Sequence, residues 1–388
     1  MAKCRELCFL HGLDPAILVY QCSRFHQPDK PAMNEFDELD ELDESLPAEI
    51  PFQEVLDALL DTDTPFQPRY LYRFSDLESA DFADLKAIWE QIPTWRRKAL
   101  LEDLEQLFGD DYLLSFESIC RLGLEDPESE IRFLSIRSLF EYDTQDLIPI
   151  FLDMVINDDQ EDVRSVAATV LGKYVYAGEV EEISQKTLRQ IEDQLLTVMQ
   201  GTDSMLVRRR ALESLGFSSR DEIPALIESA YNQAEYDWVV SAIFAMGRSR
   251  DKRWQAPVLK MLDHVLPAVR TEAARAAGGI ELSEAVDRLI ELLEDDNQEA
   301  RLAAAWSLSQ IGGDGVQEAL DMMLANTEEN DQAEFIESAI DNLIFNQSVQ
   351  FYGVMDFPQS EEDIEAFIDD DDGVFDYDGD YNDEDYYD

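Results

Sequence analysis

Apolar and small residues recur in one order along the middle of the chain. Within residues 163–172, Val163, Val166, Ala167 and Val170 follow one another at intervals of three and four, the spacing of one face of an amphipathic helix. The same order of residue types returns at residues 207–216, 238–247, 269–278 and 300–309. These later copies follow at a constant period of 31 residues, whereas the step before them is 44. A fixed period of this length predicts an α-solenoid of stacked helix pairs.

A second amphipathic helix is predicted between successive copies. Its candidate positions are residues 147–156, 188–199, 223–230, 256–262, 285–293 and 316–324. Turn signals such as Asp126-Pro127 precede the copies and supply N-caps for them. Glycines close four of the copies, namely Gly172, Gly216, Gly247 and Gly278. A helix end favours the left-handed backbone that glycine adopts without strain, so these glycines are expected to end helices.

Two segments depart from the repeat. Residues 75–112 predict a divergent helix pair that covers the open end of the first repeat as a cap. The additional residues of the longer step fall around residues 174–186. They either form a loop, which in solenoids often carries function, or lengthen the helix predicted at residues 184–199. The last predicted helix pair ends near Phe345.

The run Val-Arg-x-x-Ala-Ala-x-x-Leu-Gly at residues 163–172, repeated at a spacing near 31, resembles the short HEAT-like repeats of the phycocyanobilin-lyase type. The resemblance covers residues 113–346. It implies an all-α fold: a right-handed α-solenoid of about six to seven HEAT-like helix pairs, with the divergent cap at its N-terminal end. It implies little about activity, because unrelated functions occur on such solenoids.

The two ends of the chain have a different composition from the repeats. Residues 1–32 form an atypical extension, for which a mis-called start with Met33 opening the protein is the favoured interpretation. Residues 33–74 predict an acidic arm interrupted by prolines. Residues 347–388 predict a disordered tail in which aromatic side chains alternate with acidic ones. Such a tail either keeps the protein soluble or docks on a basic partner.

The chain is strongly acidic, with 86 Asp and Glu against 30 Lys and Arg. Nucleic acid is therefore not expected as a partner, because phosphate binding needs a basic face. An anionic membrane surface is disfavoured for the same reason, and no apolar run reaches the length that spans a bilayer. We expect a cytoplasmic monomer whose partner is another protein, with a basic surface as one possibility. Adaptation to high salt is an alternative source of this charge.

A zinc site is one interpretation of the N-terminal extension. Cys4, Cys8, Cys22 and His26 supply four ligand types that zinc accepts. Against it, the segment between the ligands has the pattern of an apolar helix, and the two-residue spacer usual between zinc-binding cysteines is missing. No cofactor is predicted elsewhere in the sequence.

Arginine recurs at the second position of the repeat. These residues are Arg132, Arg164, Arg208, Arg270 and Arg301, and Val239 replaces one of them. They either line a groove for an anionic ligand or pair with aspartates in the turn of a neighbouring unit, and the regular spacing favours the second interpretation. Arginines and tryptophans partly off this register are predicted as interface candidates, because both types often anchor interfaces. They are Arg209, Arg210, Trp238, Trp254, Arg275 and Trp306, although a buried position is the more common one for a tryptophan.

The function predicted from these features is a non-catalytic scaffold or adaptor that binds another protein on the solenoid surface. Two alternatives stay open: a bilin-lyase-like chromophore chaperone or HEAT-repeat metal-dependent oxidoreductase, and an acidic mimic of nucleic acid. The hydroxylase pattern needs His-Glu pairs on several repeats, and His264 alone lies within them. No phosphate-binding loop or nucleophile motif occurs in the sequence.

Overall fold

The structure is a computed structural model that describes residues 50–111 and 113–354. The extension at residues 1–32, the first part of the acidic arm, the four zinc candidates Cys4, Cys8, Cys22 and His26, and the tail beyond residue 354 lie outside the described residues. The described part is an all-α solenoid without a β-strand.

Three helices open the described chain: α1 (Phe52–Leu60), α2 (Ser79–Ile88) and α3 (Thr94–Asp110). Seven helix pairs follow in this part of the chain. They are α4 (Glu117–Gly123) with α5 (Ser129–Leu139), α6 (Ile148–Asn157) with α7 (Glu161–Glu179), α8 (Gln185–Gln200) with α9 (Met205–Leu215), α10 (Ile223–Tyr231) with α11 (Tyr236–Ser249), α12 (Gln255–Met261) with α13 (Pro267–Ile280), α14 (Val286–Leu292) with α15 (Gln298–Ile311), and α16 (Val316–Ala325) with α17 (Asn330–Val354). Short 3-10 helices at Gln145–Leu147, Lys252–Trp254 and Ser283–Ala285 lead into α6, α12 and α14. Two others lie in the first part of the described chain, Pro68–Phe74 between α1 and α2 and Trp89–Gln91 directly after α2.

The odd-numbered helices from α3 to α17 lie side by side in one row, each in contact with the next. Each even-numbered helix from α4 to α16 packs on the odd-numbered helix that follows it. The apolar stripes of both sets meet in one continuous core that runs along most of the described chain. One helix pair is too small to bury its own apolar stripe, so stacking stabilises every unit.

Small residues let the odd-numbered helices approach closely. A β-carbon built on Gly247 would lie 2.9 Å from Cα of Ala276 on the next helix of the row. Ser307 Oγ donates to the carbonyl of Ala274 on the preceding helix at 2.8 Å. The glycines therefore serve helix contact, and the expectation that they end helices in a left-handed conformation is wrong. Among the described residues, the helix ends that adopt positive φ are the C-caps Arg250, Glu281 and Gly312 and the N-cap Gly315 instead.

The recurrent arginines tie neighbouring units together. Arg132 binds the carboxylate of Asp158 through two nitrogens at 2.8 and 2.9 Å. Arg270 binds Asp295 in the same two-pronged way at 2.7 and 2.8 Å. Arg164 binds Asp203 with both contacts at 2.8 Å. Each of these arginines also donates to a carbonyl in the turn before its own helix, so that it clamps two successive turns. The structural interpretation of this ladder is confirmed for these three positions.

The ladder is interrupted in the middle of the solenoid. Arg208 donates to the carbonyl of Met199 at 2.9 Å and stacks 5.4 Å from the ring of Trp238. Val239 replaces the arginine in the next unit. Arg301, in the last full copy, donates to the carbonyls of Asp295 and Asp296 in the turn before its helix. Arg–Asp clamps thus occur in the units before α9 and after α11. The second repeat position of α9 and that of α11 form no such clamp.

The extra residues of the longer step lengthen two helices. Helix α7 has 19 residues and α8 has 16, whereas α11, α13 and α15 have 14 each. Between α7 and α8, Glu181 adopts a φ of 65° and Ile183 is buried, so the connection is a short turn. Of the two interpretations offered by the sequence, the structure follows helix lengthening.

The cap begins earlier in the chain than the sequence predicts. In α1, Val55 and Leu59 are fully buried, so residues 50–74 belong to the folded unit and not to an extended arm. Asp126, in the turn before α5, joins the cap to the repeats. Its carboxylate accepts a hydrogen bond from Trp89 Nε1 at 2.7 Å and lies 3.4 Å from Arg97 Nε. All three side chains are buried.

Candidate functional site

The odd-numbered helices present one face on which cationic and aromatic side chains gather. This face, here called the arginine face, is formed on α9, α11 and α13 and the residues that follow α9. It consists of Arg209, Arg210, Phe217, Phe244, Arg248 and Arg275. Most of these side chains are half-buried, and Phe244 is buried. The predicted interface arginines therefore lie on one face, joined there by Arg248.

Glu213 is the centre of a hydrogen-bonded network on the arginine face. Its carboxylate accepts from Arg210 Nη1 at 2.7 Å and from Ser241 Oγ, on the next helix of the row, at 2.5 Å. Its backbone carbonyl accepts from Arg248 Nη1 at 3.0 Å. Glu213 and Ser241 are both buried, so the carboxylate is held in a single orientation. The network links α9 to α11 by hydrogen bonds at a junction that lacks the two-pronged Arg–Asp clamp.

The guanidinium of Arg248 lies between two aromatic rings. It is 4.6 Å from the ring centre of Phe217 and 4.3 Å from that of Phe244. Tyr176 extends the stack, with its ring centre 5.3 Å from that of Phe217. A planar, weakly hydrated guanidinium is well suited to such stacking. The charge of Arg248 is thereby held on a rigid aromatic support.

The remaining arginines of the face each have an acidic neighbour. Arg275 Nη1 lies 3.2 Å from the buried carboxylate of Glu272. Arg209 Nη1 lies 3.6 Å from Asp237, whose side chain is 63% exposed. The arginine face is therefore largely neutralised from within, which distinguishes it from an open anion-binding groove.

The predicted tryptophans lie inside the solenoid. Trp238, Trp254 and Trp306 are 9%, 7% and 4% exposed. Trp306 packs against Phe335 of α17 with ring centres 5.9 Å apart. This burial differs from the surface location expected of interface anchors.

A second surface lies at the C-terminal end of the described solenoid, on α16 and α17. Residues 302–354 contain nine Asp and Glu and no Lys or Arg. Large apolar side chains are exposed in the same region: Met322 at 63%, Ile344 at 50% and Phe345 at 65%. We call this surface the acidic end and define it by Met322, Glu334, Glu337, Asp341, Ile344 and Phe345. The repeat pattern does not predict this surface, although the lack of Lys and Arg after Arg301 is a signal in the sequence that indicates it.

Other chemistry in the described residues is structural. Cys120 is buried, and desolvation raises the pKa of its thiol to about 12. His264 Nδ1 accepts the backbone N–H of Leu266 at 3.1 Å. Within residues 50–111 and 113–354, no group of three His, Cys, Asp or Glu side chains has an arrangement that could hold a metal ion. No helix among these residues combines the length and the apolar character needed to cross a membrane.

Comparison with known proteins identifies the repeat. The family model for HEAT repeats matches residues 223–301 and 255–344. Among solved structures, the Escherichia coli protein YibA is 21% identical, with 62% of this chain and 96% of that chain covered and a TM-score of 0.36. No curated protein sequence matches the chain.

Two further solved structures are similar at the same level. The complex of CpcE and CpcF of phycocyanin lyase from Nostoc sp. PCC7120 is 16% identical over 57% of this chain and 92% of that chain, with a TM-score of 0.35. Human deoxyhypusine hydroxylase is 16% identical over 76% of this chain and 97% of that chain, with a TM-score of 0.33. Likeness at this level concerns the helical-repeat fold alone.

Proposed function

We propose that this HEAT-like repeat protein is a non-catalytic scaffold that binds a protein partner with a basic surface. The observation that carries the proposal is the distribution of charge. Residues 50–354 contain 59 Asp and Glu against 26 Lys and Arg. A solenoid offers a long surface on which such a charge excess acts over many partner contacts.

The clamping arginines of the repeats are used inside the molecule, whereas other basic residues, such as Arg189 and Lys260, are exposed. The side chains of Arg132, Arg164 and Arg270, which clamp neighbouring turns, are only 12%, 17% and 15% exposed. Many carboxylates, in contrast, face the solvent: the side chain of Asp159 is 77% exposed even though it lies 3.0 Å from Arg132. A partner approaching the solenoid therefore meets a negative field, which favours basic proteins and disfavours nucleic acid.

The test is affinity capture from native lysate with the full chain at about 150 mM and about 500 mM NaCl, a range over which screening of surface charge becomes strong. Beads carrying polyglutamate serve as the control for charge without a folded surface. We expect a protein of basic character that is retained at the lower salt, released at the higher salt and absent from the polyglutamate beads.

A version of the chain ending at Gln359 locates the binding. Capture by both versions supports a scaffold whose solenoid binds the partner, whereas loss with the shorter version assigns binding to the tail. Stoichiometric iron or zinc in the purified chain, or a spectral change on adding a tetrapyrrole, would contradict the non-catalytic scaffold and favour the enzyme or chromophore-chaperone alternative.

A further inference from the structure

We infer that the acidic end is the docking site for a basic amphipathic helix of a partner protein. This inference rests on the proposed function and specifies where and how the partner binds. The helix would lie against α17 as one more member of the row of odd-numbered helices.

Helix α17 has two faces of different character. Phe335, Ile336, Ala339 and Leu343 are buried and turn towards the preceding helices α15 and α16. Asn342 and Asn346 fix this orientation, because both donate to Ser309 of α15, at 2.9 and 3.2 Å.

The other face of α17 is exposed. Five exposed residues follow at intervals of three, four, three and one, which places them on one side of the helix: Glu334, Glu337, Asp341, Ile344 and Phe345. In the described chain, every odd-numbered helix from α5 to α15 has a neighbour of the row on each side, whereas α17 has one on the side of α15 alone. The exposed stripe is thus where the next helix of the row would pack.

The exposed apolar groups are large enough to anchor a ligand. Phe345 is 65% exposed and Ile344 50%, whereas the large apolar residues of α15 that face the row, such as Leu308 and Trp306, are buried. Exposed aromatic and aliphatic side chains next to charged ones are typical of grooves that bind amphipathic helices.

The charge of the acidic end selects the occupant. With no Lys or Arg in residues 302–354, the acidic side chains of α16 and α17 have no basic residue within this stretch to neutralise them. The arginine face differs, because Glu213 and Glu272 each have an arginine there. A ligand with Lys or Arg beside its apolar side chains would complement both parts of the stripe.

Two other occupants are disfavoured by the same charge. Residues 355–388 contain 16 Asp and Glu and no Lys or Arg, so they would repel the acidic end. A second copy of the chain carries a net charge of −56. Like charges placed in one interface oppose association.

The test uses the full chain and a fluorescein-labelled synthetic 18-residue helix with lysines on one side and leucines on the other. Binding is measured by fluorescence anisotropy at about 150 mM NaCl, where long-range attraction is largely screened. A peptide of the same composition in scrambled order is the control for amphipathicity. We expect the amphipathic peptide to bind at least about 10-fold more tightly than the scrambled one. A 10-fold difference in Kd corresponds to about 1.4 kcal/mol of binding free energy.

Two variants probe the site directly. The pair Ile344→Ser and Phe345→Ser removes the apolar anchors, and the set Glu334→Gln, Glu337→Gln and Asp341→Asn removes the charge. Each should weaken peptide binding at least about 10-fold, while circular dichroism and the melting temperature stay unchanged because these side chains are exposed.

The matched control neutralises three exposed carboxylates elsewhere, with Glu90→Gln, Glu228→Gln and Asp287→Asn. It should change binding less than about 3-fold, the scale of screened surface charge. Equal weakening by this control would mean binding to diffuse charge and would overturn the inference. Tighter peptide binding after truncation at Gln359 would identify the tail as occupant, and a dimer abolished by the Ile344 and Phe345 changes would identify a second copy. Either result also overturns it.

The inference and the proposed function fail in different ways. A captured basic partner whose binding survives the Ile344→Ser and Phe345→Ser changes keeps the scaffold and removes the acidic end as its site. If the peptide binds at the acidic end but no partner is captured from lysate, the docking site is supported and the proposed scaffold function is contradicted.

Discussion

Gly247 illustrates how single residues fix the spacing of this solenoid. The nearest atom to a β-carbon built there is Cα of Ala276 on the next helix, and backbone cannot yield as a flexible side chain does. Gly216 is in the same position relative to Ala245, at 2.8 Å. The packing distance between helices is therefore set by the absence of a single methyl group.

Gly247→Ala should destabilise the protein by about 1–3 kcal/mol, because the added methyl group overpacks a contact between two backbones. Gly109→Ala is the control, since a β-carbon there would meet nothing within 4 Å and alanine is the better helix former. Urea unfolding of both variants measures the difference. If Gly247→Ala leaves the free energy of unfolding unchanged, the two helices can move apart without a loss of stability.

Asp295→Asn tests the clamp that Arg270 makes between α13 and the turn before α15. The hydrogen bond from Arg270 lowers the pKa of Asp295 below its ordinary value of 3.8. The carboxylate therefore contributes stability that is complete above this value and is lost as the pH falls through the lower, folded-state pKa. The substitution should cost about 2 kcal/mol at pH 7 and progressively less below pH 4, where the wild-type side chain also becomes neutral.

The comparison of wild type and variant at each pH removes the general effect of the net charge, which both share. Arg69, whose contact with Glu54 lies in the solvent, provides a matched control. Arg69→Met should change stability little at either pH. If the loss of stability caused by Asp295→Asn stays constant from pH 7 to pH 3, the ionised carboxylate of Asp295 is not the source of the stabilisation.

At the scale of helices, periodicity in the sequence predicts position well. The helix expected at residues 147–156 is found at Ile148–Asn157, and the one expected at residues 316–324 is found at Val316–Ala325. The start of the cap was not predicted, because α1 lies among prolines and acidic residues that also suit an arm. For Trp306 the sequence leaves both an interface role and the more common buried position open, and the structure buries it.

The interruption of the arginine ladder predicts where the stack opens most easily. Amides of α9 to α11 should exchange with solvent faster than those of α5 to α7, because Arg208 binds no carboxylate at the position where Arg132 and Arg164 do. Hydrogen-exchange mass spectrometry measures this order.

Arg132→Met should raise exchange at the junction of α5 and α7 to the level of the middle, since it removes the clamp to Asp158. Uniform exchange along the row, or no response to Arg132→Met, would show that the clamps do not control local opening.

For the whole molecule, the net charge of −56 opposes the compact state through self-repulsion. The melting temperature should therefore rise as NaCl increases from about 10 to about 150 mM, because exposed charges are screened. The internal clamps are half-buried and are screened less, so they do not reverse the trend. Differential scanning calorimetry measures it, and a falling melting temperature would mean that ion pairs outweigh repulsion.

The row of odd-numbered helices has a mechanical consequence. Each helix contacts only its neighbours, so small rotations at successive junctions add along the row in the manner of springs in series. Because most units of the row carry excess negative charge, its length and curvature respond to ionic strength without any change in the helices themselves. A basic partner that neutralises one stretch would therefore also reshape the stretches beside it.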